Sequence, residues 1–335
     1  MPAPLLADLV CEGGGVKGIG LAGAVTALAD AGYAFPRAAG SSAGAVVACL
    51  VAALQSAGEP VQRLGEIVRS VDYRRLRDRT GVARLPLVGL PLAVLLHEGA
   101  YDGGYLERFL EGTLGELGVR TFGDLRGPEL DTVPAPRRSR LVVTVSDLSR
   151  RRLVRLPWDL PEYGLDPDDY PVARAVRASS AIPYVFRPVR QRGLGGTATW
   201  VDGGLLSTFP VGLFDRVDAL APRWPTFGLR LSTPPDVPPV LHPVRTPVAL
   251  GLAALDALLT DQDAAYAGEP CTTARTIAIP TSGVSVVDFD LSRATAERLF
   301  RSGREAAEAF LATWDEAAYV RRCRQTPLRA DGTLG

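Results

Sequence analysis

Residues 37 to 54 read Arg37-Ala38-Ala39-Gly40-Ser41-Ser42-Ala43-Gly44, followed by the apolar run Ala45–Leu54. The residues before Gly40 predict a short strand, and the apolar run predicts a buried central helix. Between them lies the pattern G-x-S-x-G, which places a serine on a sharp strand-to-helix turn that only small neighbours allow to close. Ser42 is therefore a candidate nucleophile at the positive end of a helix dipole, supported by Gly40 and Gly44. Taken alone, the pattern also fits a tight turn without chemistry.

A second glycine-rich turn precedes this one in the chain, in Glu12-Gly13-Gly14-Gly15-Val16-Lys17-Gly18. It follows the predicted strand Leu5–Cys11 and opens the predicted helix Lys17–Ala31. Consecutive glycines leave backbone N–H groups uncovered, so we predict an oxyanion hole built from Gly13, Gly14, Gly15 and Ala43. Lys17 is the single lysine among 37 basic residues. It either steadies this loop or meets a phosphate group of a ligand, or it is simply a solvated residue at a helix start.

The same glycines also spell G-x-G-x-x-G, the dinucleotide-binding fingerprint. A dinucleotide site requires an acidic residue roughly 20 positions further on, at the end of the next strand. That strand instead ends in Arg37-Ala38-Ala39-Gly40. Nucleotide binding is therefore kept as an alternative that the sequence disfavours.

A carboxylate base is suggested by Asp-Gly-Gly, which occurs at Asp102-Gly103-Gly104 and at Asp202-Gly203-Gly204. Each tripeptide also fits an ordinary turn. Asp202 follows the strand-like Thr199–Val201, and α/β proteins collect site residues at strand ends. A histidine triad through His242 is disfavoured, because Ser42 follows only two strands and His242 lies among prolines. His97 precedes Asp202 in the chain and ends the apolar run of residues 85–96.

The remaining pattern alternates strands with helices. Strands are predicted at Leu141–Val145, Leu153–Leu156, Thr226–Leu231 and Thr276–Ile279, and helices at Val172–Ser179, Val248–Asp263 and from Ser292, as N-cap, to about Trp314. Residues 234–247 form a proline-rich connection, interpreted as a flap. This alternation predicts an α/β layered fold with a mostly parallel sheet.

Composition limits the function. The chain has 335 residues, 47% of them hydrophobic, and zero formal net charge, which is typical of a globular protein and unlike a nucleic-acid-binding one. Its four cysteines have no metal-site spacing, and the N-terminus does not resemble a signal peptide. We therefore predict a cytoplasmic protein without metal or other cofactor. The arginine-rich start of residues 69–96 precedes an apolar run too short to span a bilayer. It suggests either a surface that contacts an anionic membrane or a solvated segment beside a buried strand.

Together these motifs resemble the patatin-like phospholipase family, over most of the chain. E-G-G-G-V-K-G resembles the glycine-rich oxyanion loop of that family, although Glu12 stands where Asp or Lys is more usual. G-S-S-A-G resembles its nucleophile motif and V-D-G-G its aspartate motif, which selects Asp202 over Asp102. Residues 178–183, Ala-Ser-Ser-Ala-Ile-Pro, resemble the segment that precedes this aspartate in bacterial members.

The resemblance implies a three-layer α/β/α sandwich and a Ser42–Asp202 dyad without histidine, with Gly203 and Gly204 supporting the aspartate. It implies one hydrolase domain over residues 1–320, a variable cap or lid at about 69–100, and a tail at 321–335. The expected substrate is a phospholipid, cleaved as by a phospholipase A, and the expected location is the inner face of the membrane. A soluble esterase or thioesterase, and an inactive lipid-binding scaffold, stay open as alternatives. The sequence names no protein partner.

Overall fold

A computed structural model describes residues 4–78, 98–127, 130, 137–215, 224–232 and 269–323. The predicted helix 248–263, the flap at 234–247, both histidines, the tail beyond 323 and most of the expected lid lie outside the described residues. The single domain at 1–320 stays a prediction. No helix in the described part of the chain is both long and apolar enough to cross a bilayer.

The strands follow the alternation seen in the sequence. They are β1 Leu5–Leu6, β2 Asp8–Cys11, β3 Tyr33–Ala34, β4 Ala38–Gly40, β5 Gly99–Tyr101, β6 Leu141–Asp147, β7 Arg152–Leu156, β8 Tyr184–Phe186, β9 Val189–Gly193, β10 Gly196–Asp202, β11 Thr226–Ser232 and β12 Thr276–Pro280. Eight of them form the central sheet in the order β12-β11-β2-β4-β6-β10-β9, with β7 paired to β6. β1 with β3, and β5 with β8, form two separate two-stranded sheets.

The described helices are α1 Gly18–Asp30, α2 Ala43–Ser56, α3 Leu64–Ser70, α4 Gly104–Glu116, α5 Val172–Ser179, α6 Pro270–Thr273, α7 Arg293–Leu311 and α8 Glu316–Cys323. α1 packs along α7, while α2 lies against β2, β4 and β6. Leu9 and Cys11 belong to a large apolar core that also contains residues of α1 and α2, whereas Val10 belongs to a smaller cluster with Val142 and Phe214. Alternate residues of one strand therefore serve apolar layers on both faces of the sheet.

The α/β prediction is confirmed, and the mixed central sheet keeps most of its strands parallel. β12, β11, β2, β4 and β6 are parallel, whereas β10 pairs antiparallel with β6 and β9, and β7 antiparallel with β6. Both β6 and β7 were predicted as strands, and they form an antiparallel hairpin. Parallel neighbours need a long crossover connection, usually a helix, whereas antiparallel neighbours can be joined by a short turn. The antiparallel end of the sheet therefore contains the hairpins.

Two strands meet end to end on one edge of β6. β4 pairs with the first half of β6, with Gly40 opposite Val143, and β10 pairs with the second half, with Asp202 opposite Val145. Because β7 occupies residues 143–147 of β6 from the other side, β4 and β10 must share the remaining edge. They run in opposite directions, so their carboxyl ends face each other across Thr144.

The structure contains one disulfide, which the sequence did not predict. Cys271 in α6 is bonded to Cys323 at the end of α8, across 52 residues of chain, while Cys11 and Cys49 are buried free thiols. Cytosolic disulfides are rare, so this bond bears against the predicted cytoplasmic location, which stays a prediction.

Candidate active site

Ser42 stands at the turn between β4 and α2 in a conformation that few residues adopt. Its φ is 53° and its ψ is −122°, a positive φ that is unfavourable for a residue with a Cβ. The strand and helix approach so closely that a Cβ on Gly44 would lie 2.3 Å from the carbonyl oxygen of Cys11. A Cβ on Gly40 would lie 2.3 Å from the carbonyl carbon of Gly44. Only glycine fits at either position, as the motif predicts.

The hydroxyl of Ser42 donates a hydrogen bond to Oδ2 of Asp202 at 2.6 Å, although 160 residues separate them in the chain. The other carboxylate oxygen of Asp202 accepts from the backbone N–H of Gly204 at 2.8 Å. Asp202 is 1% exposed. This burial raises the pKa of Asp202 to about 7, against the opposing effect of its two hydrogen bonds. A carboxylate with such a pKa can accept a proton near neutral pH.

Three backbone N–H groups beside this pair have no acceptor among the described residues. They belong to Gly14, Gly15 and Ala43, three of the four groups predicted for the oxyanion hole. Gly14 and Gly15 line the same small pocket as Ser42 and Asp202. Gly13 must be removed from the predicted set, because its N–H already donates to the carbonyl oxygen of Thr208 at 2.9 Å.

The other supporting residues lie around this centre. The backbone N–H of Lys17 donates to the carbonyl oxygen of Gly14 at 3.2 Å and closes the turn that presents the glycine amides. Gly203 follows Asp202 directly, and a Cβ there would lie 2.3 Å from the carbonyl oxygen of Thr144. The glycine loop therefore faces a serine and a carboxylate, an arrangement that counts against the dinucleotide interpretation.

Ser179 is a site residue that the motifs did not single out. Its hydroxyl accepts a hydrogen bond from the backbone N–H of Ser42 at 2.9 Å. Two residues later, the carbonyl oxygen of Ala181 accepts from the N–H of Asp202 at 2.9 Å. The end of α5 thus holds both members of the pair, and only the position of residues 178–183 before the aspartate motif hinted at it.

A second buried contact stabilises the turn that carries Ser42. Oγ of Ser41 lies 2.5 Å from Oγ1 of Thr144 and donates to the carbonyl oxygen of Ser207 at 2.7 Å. Ser41 and Thr144 are both completely buried. These hydroxyls fix the residue before the nucleophile, and no local pattern in the sequence identifies Thr144.

Asp102, the alternative aspartate, lies elsewhere. Its carboxylate forms an ion pair with Arg187 at 2.9 Å, and its backbone N–H donates to the carbonyl oxygen of Asp78 at 3.2 Å. It belongs to the β5–β8 region rather than to the central sheet. The structure therefore brings Ser42 together with Asp202 and not with Asp102.

An apolar pocket opens beside Ser42. The empty space is about 760 Å³, its open mouth included. Gly15, Ser42, Ile182 and Val286 line both this pocket and the small polar one. The rest of the described lining is almost entirely aliphatic and aromatic, for example Val46, Leu50, Leu106 and Phe109. Such a lining offers apolar contacts that begin at Ser42.

Residues 9–215 match the family model described as patatin-like phospholipase, a span that contains the glycine loop, the serine turn and Asp202. The chain belongs to the patatin-like phospholipase family, a family of lipid acyl hydrolases.

The chain is also similar to other proteins in sequence or in fold. The chain is 34% identical over 308 residues to the uncharacterized protein YqhO of Bacillus subtilis (strain 168), covering 92% of this chain and 98% of YqhO. Its fold resembles the crystal structure of VipD from Legionella pneumophila, with a TM-score of 0.54, 18% identity, and coverage of 93% of this chain and 67% of VipD. A weaker likeness, with a TM-score of 0.45 and 20% identity, is to the ExoU–SpcU complex of Pseudomonas aeruginosa, covering 92% of this chain and 52% of the matched chain.

Proposed function

We propose that this protein is a phospholipase A-type hydrolase that cleaves carboxylic esters of phospholipids through Ser42 and Asp202. The observation that carries the proposal is the 2.6 Å hydrogen bond from the Ser42 hydroxyl to Asp202, where an apolar pocket adjoins backbone N–H groups that have no acceptor in the described part of the chain.

Acylation begins when Oγ of Ser42 attacks the ester carbonyl carbon and its proton passes to Oδ2 of Asp202. Negative charge then develops on the former carbonyl oxygen, and the N–H groups of Gly14, Gly15 and Ala43 stabilise it. When the tetrahedral intermediate collapses, the ester C–O bond breaks. Protonated Asp202 gives its proton to the departing lysolipid alcohol, leaving an acyl group on Ser42.

Deacylation uses the same groups in reverse roles. Asp202, again a carboxylate, takes a proton from a water molecule as that water attacks the acyl carbonyl. The second tetrahedral intermediate collapses, the proton returns to Oγ of Ser42, and the fatty acid is released. Because burial raises the pKa of Asp202 to about 7, its side chain can both accept a proton and return it near neutral pH.

The test compares two aspartates in identical tripeptides. Ser42→Ala and Asp202→Asn should each lower phospholipid hydrolysis by roughly 10³-fold or more, because the two groups act as a unit. Asp102→Asn is the matched control and should retain most activity, since Asp102 is bound to Arg187 away from the site. Substantial turnover by Asp202→Asn, measured as released fatty acid, would refute the dyad.

The alternatives give different results in two further assays. A fluorophosphonate should label the wild type but not Ser42→Ala, whereas a nucleotide-binding protein or an inactive scaffold would show no such labelling. Product analysis by mass spectrometry on a mixed lipid panel separates the phospholipase from a soluble esterase or thioesterase. The latter would release acids from short-chain esters or thioesters while leaving phospholipids intact.

We further propose peripheral contact with an anionic membrane, at the inner face of the cytoplasmic membrane. Support comes from three exposed apolar residues close in sequence to pocket-lining residues, namely Tyr184, Leu206 and Val287 at 54%, 43% and 44% exposure. The described arginines of residues 69–78 add less support, because each already contacts another residue of the chain. Arg69 pairs with Glu297, Arg74 and Arg77 pair with Asp290, and Arg75 lies over the ring of Tyr105.

Flotation with anionic phospholipid vesicles tests this contact. The double substitution Tyr184→Ser and Val287→Ser should reduce the bound fraction, because each removes apolar area that would enter the interface. Leu194→Ser is the control, since Leu194 is 65% exposed in the β9–β10 connection. Equal binding by all variants would argue against this surface.

A further inference from the structure

The apolar pocket runs along one face of α2, starting at the nucleophile. Its lining includes Ala43, Val46, Val47 and Leu50, which have the spacing of a single helical face. Since a helix rises 1.5 Å per residue, Ala43 and Leu50 are about 10 Å apart along the axis. Extended backbone advances at most about 3.5 Å for three bonds, so roughly nine bonds, or about ten carbons, of an extended acyl chain span this length.

The pocket shares a layer of lining residues with a second cavity. Ile19, Val68, Val71, Tyr73 and Phe289 line both cavities, and we call this set the end wall. Val68 belongs to α3, which packs against α2. Each residue of the end wall therefore borders both cavities.

The end wall separates two different environments. On the pocket side, Phe289 makes edge contacts with Phe186 and Tyr101 at centroid distances of 6.0 and 6.3 Å, which fix its ring. On the far side lies an open groove with the Arg69–Glu297 ion pair, Arg74 with 73% of its side chain exposed, and Arg293. If the methyl end of a long acyl chain passed the end wall, it would leave apolar surroundings and enter a groove lined by charged side chains.

We propose that the end wall sets the acyl-chain length, so that the enzyme prefers medium-chain acyl groups, and that Phe289 and Val71 are the specificity-determining residues. This inference rests on the proposed function, because it names the acyl group that the Ser42 site takes. Shortening either side chain connects the pocket to the groove and gives a longer chain somewhere to go.

The experiment measures kcat/KM for butanoyl, octanoyl, dodecanoyl and palmitoyl esters of p-nitrophenol. The wild type should favour octanoyl over palmitoyl. Each methylene that becomes buried should raise kcat/KM about fourfold. Phe289→Ala should therefore raise the palmitoyl-to-octanoyl ratio of kcat/KM at least about tenfold. Val71→Ala should raise it less and serves as the milder variant if loss of the ring disturbs folding.

Phe310→Ala is the matched control. It removes the same ring from α7, where Phe310 packs on Phe227 and Trp314 away from both cavities, and should leave the ratio unchanged. A ratio that stays within about twofold of wild type in both wall variants, or that moves equally in Phe310→Ala, overturns the proposal.

Binding provides a readout independent of hydrolysis. In Ser42→Ala, displacement of a fluorescent fatty acid should be stronger for decanoate than for palmitate, and Phe289→Ala added to this background should reverse or abolish that order. If no ester is hydrolysed yet the order changes as expected, the proposed function fails while the end wall stands. If esters are cleaved and the order does not respond, the end wall fails alone.

Discussion

Gly40 and Asp202 end two strands that run toward each other along the same edge of β6, opposite Val143 and Val145. Thr144, between these two positions, has Oγ1 within 2.5 Å of Oγ of Ser41, and its carbonyl oxygen lies close to Gly203. One residue of β6 therefore sets the gap between the serine turn and the aspartate. Because a slip of one residue in β10 would turn Asp202 to the other face of the sheet, the register of this pairing creates the site.

The pH dependence of catalysis should follow Asp202. The group must be a carboxylate to accept the proton of Ser42, and its pKa is about 7. We therefore expect kcat/KM for an uncharged ester to rise with pH through about 7 and then level off. Steady-state rates between mildly acidic and mildly alkaline pH check this. A profile already flat well below neutrality would contradict a base with a raised pKa.

The same raised pKa predicts that Asp202 lowers stability at alkaline pH. Its ordinary value is 3.8, so between about pH 4 and 7 the folded state holds a proton that the unfolded state has lost, and stability falls as pH rises. Asp202→Asn removes this dependence. At pH about 8 the variant should be more stable than wild type by at most about 4 kcal/mol, while near pH 4 the difference should vanish. Urea unfolding at both pH values measures it.

Gly44→Ala should be strongly destabilising, because its Cβ would lie 2.3 Å from a backbone oxygen that cannot rotate away. We expect a loss of more than about 2 kcal/mol in the free energy of unfolding. Gly112→Ala is the control: Gly112 is exposed within α4 and has open space around it, so alanine should stabilise the helix by roughly 0.5–1 kcal/mol. Similar melting temperatures for the two variants would count against the close crossing.

Ser179 is expected to act as a positioning residue through the backbone of Ser42. Without its hydroxyl, the buried N–H of Ser42 loses its acceptor, at a cost of about 1–3 kcal/mol to the strained conformation. Ser179→Ala should therefore lower kcat by roughly 10–100-fold with little change in KM, and Ser179→Thr should restore part of it. Ser56→Ala, which removes a buried hydroxyl without a partner in the described structure, should leave kcat unchanged.

Thiol counting tests the disulfide. Burial raises the pKa of the Cys11 and Cys49 thiols, so the folded protein should react with a thiol reagent only slowly. Denatured without reductant it should show two thiols, and after reduction all four. Cys271→Ser should lower stability by about 2–4 kcal/mol under oxidising conditions and have little effect under reducing ones. Four thiols in the unreduced, denatured protein would show that Cys271 and Cys323 do not pair.

The sequence by itself determined the local features. The strand before Ser42, the helix after it and the helix Val172–Ser179 were predictable because each depends on residues a few positions apart, through hydrophobic periodicity and glycine turns. The glycines at 40 and 44 follow from the same local geometry. Motif order then identified the serine, the glycine loop and the aspartate as candidates.

Only the tertiary structure decided which of these residues meet. Asp102 and Asp202 head identical tripeptides, and it is strand pairing that carries one to Arg187 and the other to Ser42. The contacts of Gly13 with Thr208, of Ser179 with Ser42 and of Cys271 with Cys323 likewise join residues far apart in the chain. Such contacts depend on register and packing across the whole sheet, which short-range sequence patterns do not encode.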